Sequence, residues 1–250
     1  MTSTERPEQA EALRRAISLD RLGTYNQAAD ATGADVLDLY IWDRDLSAAF
    51  LADIAIIEVA LRNAMHTALS NSYGEDWYTR PEVGLDDRSE ASIAVAWRRL
   101  HERRQPQTSG RVVAQLMLGF WVGLLDSGGE RGKPPRRINC DYEVLWREAL
   151  HHAFPGGRTE ANTEDAQFTR TWTSHTVAVV HALRNRVSHH EPLVRDFPLP
   201  GQKDRHGHPL RVSAADGHAA CLKVTRLLDR NLAAWLTANT TVPAILDRRP

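Results

Sequence analysis

With 250 residues, of which 42% are hydrophobic and 25% charged, the chain is long enough to bury a substantial core and has an ordinary globular balance. A formal net charge of −1 excludes a global attraction to nucleic acid, so any such binding must come from local patches. Cys140 and Cys221 are the only cysteines and form no CxxC pair, which argues against a disulfide framework and for a reducing, cytoplasmic setting.

The polar start, residues 1–9, lacks the apolar centre of a signal peptide. The longest apolar run, 112–125, is interrupted by Gln115 and is too short to span a bilayer. A soluble protein without a membrane partner is expected. Residues 7–31 read as two short helices parted near Ser18 and closed by Thr32-Gly33. From 34 to 69 there is no Pro or Gly, which predicts one long helix or two abutting ones. Its second half carries Ile54, Ile57, Leu61, Met65 and Leu69 on one stripe, with Glu58, Arg62 and His66 on a neighbouring one. Tyr73-Gly74 ends it, and 81–84 is loop.

Asp86 or Asp87 caps a helix with Ile93, Trp97 and Leu100 on one side and Arg98, Arg99, Arg103 and Arg104 on the other. Residues 111–126 are apolar nearly all round, which suits a helix at the centre of a bundle. Gln115, Gly119 and Gly123 share one side of it, where small residues would let a second helix approach closely. A flexible, basic loop follows at 127–137. Asp141 caps a helix reaching Phe154, residues 193–212 read as an irregular excursion, and Ser213 starts a final helix with Cys221, Val224, Leu228, Leu232 and Trp235 inward. No stretch alternates as strands do. The expected fold is all-α, a multi-helix bundle, with an N-terminal helical appendage at 1–33 and the main domain at 34–250.

Between the last two helices lies the most unusual stretch. Phe168, Trp172, Val179, Leu183 and Val187 mark an apolar stripe, with His175 and Thr176 filling the missing turn. Asn162 or Thr163, followed by Glu164 and Asp165, is the expected start, and Pro192 the stop. Arg184, Asn185, His189 and His190 therefore crowd the last two turns of a long, otherwise buried helix.

The Arg184-Asn185-x-x-x-His189 run resembles the Arg-polar-x-x-x-His signature of the HEPN superfamily, and more narrowly the abortive-infection (Abi-like) proteins of bacteria. Three further stretches carry the narrower resemblance: Glu58-Val-Ala-Leu-Arg62-Asn63-Ala-Met-His66, Tyr73-Gly-Glu-Asp-Trp77-Tyr78, and Gly110-Arg111 through Gly119-Phe120-Trp121. The resemblance runs over most of the chain, from about Ser18 to the C-terminus. The resemblance implies a metal-independent endoribonuclease without a cofactor, acting on RNA in phage defence or as a toxin.

Such chemistry needs a group to move protons and a cation for the phosphate. An imidazole serves the first purpose and a guanidinium the second. Carried over by the resemblance, Arg184 would bind phosphate, Asn185 would position groups by hydrogen bonding, and His189 would be the catalytic imidazole, with His190 and Glu191 as supporting neighbours. Glu58, Arg62 and Asn63 match an upstream motif; the Glu58–Arg62 pair would orient the signature helix or add a phosphate contact. Glu191 stands where some HEPN toxins carry a tyrosine modified by a nucleotidyltransferase antitoxin, so that regulation is not expected here, and the sequence names no antitoxin.

Asn185 and His189, four residues apart, share a helix face. Arg184 and His189, five apart, are turned roughly 140° from each other. Either a frayed helix end or a second copy must complete such a site, and the resemblance favours the second: a two-fold homodimer with its 184–191 segments facing. The competing readings are a buried polar network in a catalytically silent RNA- or protein-binding module of the same fold, and a metal-dependent hydrolase built on His206, His208 and His218 or on His151-His152. Neither histidine set has an accompanying cysteine, and no metal is expected. The 98–104 face and the 131–137 loop are candidate RNA-binding patches, with solvated charge as the plainer reading of both.

Overall fold

The computed structural model describes residues 7–250, so the first part of the polar start lies outside it. The chain is mostly helical and falls into two compact units. The first takes the described part of Met1–Ala55 with Ala182–Cys221 and Leu236–Pro250; the second takes Ile56–His181 and Leu222–Trp235. Among the described residues, no helix is long and apolar enough to cross a membrane.

In the first unit, α1 (Pro7–Ala16) and α2 (Leu19–Thr32) are parted by Ser18, whose hydroxyl accepts from the Arg21 N–H at 3.2 Å. Gly33 closes α2 in the left-handed region, φ 76°, a place that suits a residue without Cβ. Asp35 then caps α3 (Val36–Tyr73) by accepting from the N–H of Leu37 and Asp38. Of the one long helix or two abutting ones that the absence of Pro and Gly predicts, the structure has the first; residues 36–55 serve the first unit and 56–73 the second. Leu39, Trp42, Leu46, Phe50 and Ile54 are buried along the first part. The Trp42 Nε1–H donates to the Ile245 carbonyl in α12 (Val242–Leu246) at 2.8 Å, and Arg249 covers its ring.

The stretch expected to be irregular holds an antiparallel hairpin, β3 (Phe197–Lys203) with β4 (Pro209–Val212), paired Phe197 to Val212 and disturbed by a bulge between Pro198 and Lys203. Pro198, Pro200 and Pro209 mask it in the sequence, because a proline has no N–H to donate to a ladder and so argues against a strand. Helix α10 (Ala214–Leu228) begins on the Ser213 cap, and a Cβ at Gly217 would meet Phe197 at 3.1 Å and Leu183 at 3.2 Å. That glycine allows α10 to lie against the segment carrying Leu183.

In the second unit, Ile57, Leu61, Met65 and Leu69 are buried along α3 as the stripe predicts. Asp86 caps α4 (Asp87–Glu102), accepting from Ser89 N–H at 2.9 Å. Trp77, Trp121 and Phe120 form an aromatic cluster with ring centroids 5.1–6.3 Å apart. Three expectations need correction here. Residues 111–126 are not one helix: α5 (Ser109–Gln115) and α6 (Leu118–Gly123) are separated by extended backbone at Leu116 and Met117. The break buries Leu116 and Leu118 together and leaves Met117 56% exposed, as alternation does and helical geometry does not. Nor is the Gly119–Gly123 side a close helix contact. A Cβ at Gly119 would make only ordinary contact with the His181 ring at 3.5 Å, and one at Gly123 would meet nothing within 4 Å. Asp141 caps α7 (Tyr142–Glu148), but that helix stops at Glu148, whose carbonyl accepts from the Ser72 hydroxyl, and a 3-10 turn carries the chain to Ala153.

The 127–137 loop forms most of a minimal hairpin, β1 (Glu130–Arg131) with β2 (Ile138–Asn139) just beyond the loop. Asn162 and Thr163 belong to a separate helix, α8 (Gly157–Thr163), and α9 (Arg170–Ser188) starts on Thr169, whose hydroxyl accepts from Trp172 N–H. The last long helix is broken as well. Asp229 accepts from Leu232 N–H at 2.8 Å and so starts α11 (Arg230–Asn239) afresh, which leaves Trp235 50% exposed. Of the three tryptophans at helical spacing, whose simplest place is the core, Trp121 is fully buried; Trp172 is half-buried under the Lys223 ammonium, 4.4 Å from its ring, and Trp97 is 41% exposed.

Candidate functional site

The signature stretch lies in the first unit, at the end of α9. The helical ladder holds to its tip: His189 N–H donates to Asn185 C=O at 3.0 Å. His190 N–H then reaches Val187 C=O and Glu191 N–H reaches Arg186 C=O, with His190 in the left-handed region at φ 56°. Those two bonds and that conformation are a Schellman cap, with histidine in the place glycine usually takes. Regular geometry up to His189 excludes the frayed end as a solution, so Asn185 and His189 share a face and Arg184 stays turned away from them.

Arg186, which the sequence reading passed over, clamps the turn. Its Nε donates to Pro192 C=O at 3.0 Å and its Nη1 pairs with Glu191 at 2.6 Å. Glu191 is thus engaged with Arg186 rather than with the histidines. Beyond Pro192 the chain is anchored on Asp43, which is 4% exposed. One Asp43 oxygen accepts from Leu193 N–H at 2.7 Å and the other from the Tyr25 hydroxyl at 2.9 Å. Burial raises the Asp43 pKa, with the Tyr25 and backbone donors working in the opposite sense. Burial and the Asp43 charge together raise that of Tyr25.

Arg184 and Asn185 are half-buried, whereas His189, His190 and Glu191 are exposed. His190 and Val187 line a cavity of about 260 Å³ together with Arg21, Tyr40, Asp43 and Arg44. His190 is therefore more than a neighbour of His189: it joins the helix end to a recess with two guanidinium groups and two tyrosine rings. No motif signalled this, since Arg21, Tyr40 and Arg44 come from α2 and α3.

Glu58, Arg62 and Asn63 belong to the second unit, where the Arg62 Nε donates to Asn63 Oδ1 at 3.4 Å. Glu58 and Arg62 are half-buried and Asn63 exposed. On the same helix, His66 Nδ1 accepts from the Trp77 indole N–H at 3.0 Å, and burial lowers the His66 pKa. His66 thus ties the 58–66 stretch to the 73–78 stretch, and Trp77 stacks against Trp121 of the 110–121 stretch. Three of the four motif stretches meet in this one aromatic cluster, where they act as core.

His206 and His208 sit on the exposed tip of the β3–β4 hairpin, with His208 3.6 Å from Asp204. The His151 and His152 rings lie 3.8 Å apart in the 3-10 turn after α7. Among the described residues, no three His, Cys, Asp or Glu side chains are placed to hold a metal ion.

Residues 11–111 match the model of a family described as Abi-like protein. The match covers less than half of the chain; it includes the 58–66 and 73–78 stretches and stops short of the α9 signature. Comparison with curated proteins and with solved structures gave no match.

Proposed function

We propose that the chain is a metal-independent endoribonuclease of HEPN type, serving phage defence by abortive infection or acting as a growth-arresting toxin. The observation that carries this reading is the polar tip of α9: an amphipathic helix with Val177, Leu183 and Val187 buried delivers Arg184, Asn185 and an exposed His189 to its last turns, next to a recess holding His190, Arg21 and Arg44. The match of residues 11–111 to the Abi-like model supports the same biological setting.

In this reading the RNA supplies its own nucleophile. The 2′-oxygen attacks the adjacent phosphorus, the bond from phosphorus to the 5′-oxygen breaks, and the 2′-hydroxyl proton leaves to a base. Arg184 balances the phosphorane charge, Asn185 holds the phosphate by a hydrogen bond, and His189 protonates the departing 5′-oxygen. Because regular helical geometry turns Arg184 away from His189, the site is completed by a second copy in a two-fold homodimer. The purified chain is expected to cleave single-stranded RNA and to leave the same strand intact when every 2′-hydroxyl is methylated. Its specific activity should fall on dilution as dimers part. Cleavage of the methylated strand, or full activity of a strict monomer, would overturn the reading; intact RNA at every protein concentration would move the function to binding.

A further inference from the structure

The second unit contains a larger recess that none of the signature residues lines. Helix α4 is amphipathic, and Ile93, Ala96 and Leu100 are buried, yet Trp97 on the same side is 41% exposed. Its indole forms part of a cavity of about 580 Å³ whose apolar lining includes Tyr78, Leu85 and Ile93. An indole left open in a large apolar recess is the kind of surface that a ligand covers.

The polar side chains of the recess point to the ligand's class. Arg98 and His101 come from α4, Arg131 from the β1–β2 hairpin, and Arg80 from the turn after α3, against Glu90 as the one acid among the lining residues. The two basic stretches that look independent in sequence, 98–104 and 131–137, therefore each contribute an arginine to the same recess. Their present contacts are weak enough to exchange. Arg98 lies 3.8 Å from Glu102 with both side chains about two-thirds exposed, and Arg131 lies 3.1 Å from Glu90 with both partly exposed. Arg99, Arg103 and Arg104 extend the cationic surface along and just beyond the end of α4.

We propose that this recess binds single-stranded RNA, one unpaired base stacking on Trp97 while the flanking phosphates bind Arg98 and Arg131. An aromatic platform beside guanidinium forks matches how proteins hold unpaired nucleotides: bases stack on the ring and phosphates take the bidentate donors. A duplex keeps its bases inside the stack and cannot offer one to the indole. The assignment rests on the proposed ribonuclease reading for the choice of RNA, and it gives that reading a substrate class: unpaired strands, held by residues other than those of the α9 signature.

The test measures binding of a fluorescent single strand of 2′-O-methyl RNA, about twelve nucleotides long, so that cleavage cannot intervene. Trp97→Ala should weaken binding by about 10-fold or more, since a stacked base contributes on that order. Trp97→Phe, which keeps a ring, should retain most of the affinity and guards against a fold defect. Arg98→Ala with Arg131→Ala should weaken binding and flatten its dependence on salt. A blunt duplex should bind more weakly than the single strand. Unchanged binding by a well-folded Trp97→Ala variant, equal binding of duplex, or absence of binding by the wild type would overturn the proposal; capture of an acidic peptide in preference to RNA would do so too, and would assign the recess to a protein partner. Cleavage by His189→Ala, measured separately, distinguishes the two readings: loss of cleavage with undisturbed Trp97→Ala binding rejects only the recess, and wild-type cleavage by His189→Ala with impaired Trp97→Ala binding rejects only the α9 site.

Discussion

His189→Ala and Arg184→Ala are each expected to lower kcat/KM for RNA cleavage by about 10²-fold or more, with little change in helicity. A positioned proton donor contributes about 10²–10⁴-fold, and a charged contact to the transition state a comparable amount. His189 is exposed on the last turn, so truncation removes a polar tip and almost no packing. Arg184 is half-buried, and Arg184→Lys separates its two roles: the charge and stem remain while the planar fork is lost, so activity should stay low in a fully folded protein. Asn185→Ala should fall between wild type and His189→Ala. His190→Ala should cost less than His189→Ala, because His190 lines the recess and does not share the face of Asn185. The check is steady-state kinetics beside circular dichroism on each purified variant; a folded His189→Ala that cleaves like the wild type contradicts the assignment.

Asp43→Ala is expected to destabilise the protein by about 1–3 kcal/mol, the largest stability effect predicted for a single polar group near the site. It strands two donors, the Tyr25 hydroxyl and the Leu193 N–H, each of which costs about 1–3 kcal/mol when buried without an acceptor. Against this, the substitution relieves the cost of burying a carboxylate, which is why the net lies below the sum. Tyr25→Phe keeps the packing of the ring but leaves one oxygen of the buried Asp43 carboxylate without its donor, and should cost about 1–2 kcal/mol. Urea unfolding of the three proteins measures both values; an Asp43→Ala variant as stable as the wild type would show that water replaces the carboxylate and that the anchor after Pro192 is not needed.

Much of the fold is legible where a single residue decides the local backbone. Ser18, Asp86 and Asp141 accept the cap hydrogen bonds their positions predict, Gly33 takes the left-handed turn, and the run without Pro or Gly is one helix. What could not be read depends on tertiary context. Nothing local at 115–118 breaks a helix; the break follows from burying Leu116 and Leu118 together. Asp229 looks like one more polar residue on a helix until its side chain is seen starting a new one. The hairpin at 197–212 is masked by its own prolines.

The site divides in the same way. Arg184, Asn185 and His189 stand out because they crowd the last turns of an amphipathic helix at the spacing of the signature. Arg186 carries no signal in the sequence, although it holds the turn. Asp43 was silent because the N–H it accepts from lies 150 residues further along the chain. Trp97 shows the limit of periodicity: spacing assigns it to the side of Ile93 and Leu100 but does not say how far the core extends beneath it.

The central claim is that the attacking oxygen belongs to the RNA, and the end groups of the products test it most directly. Purified protein would be incubated with a defined single strand in the presence and absence of EDTA, and the fragments examined by mass spectrometry. The account predicts 2′,3′-cyclic phosphate and 5′-hydroxyl ends, formed at the same rate with the chelator present. Fragments ending in 3′-hydroxyl and 5′-phosphate, lost on chelation, would show a metal-activated water as nucleophile and contradict it.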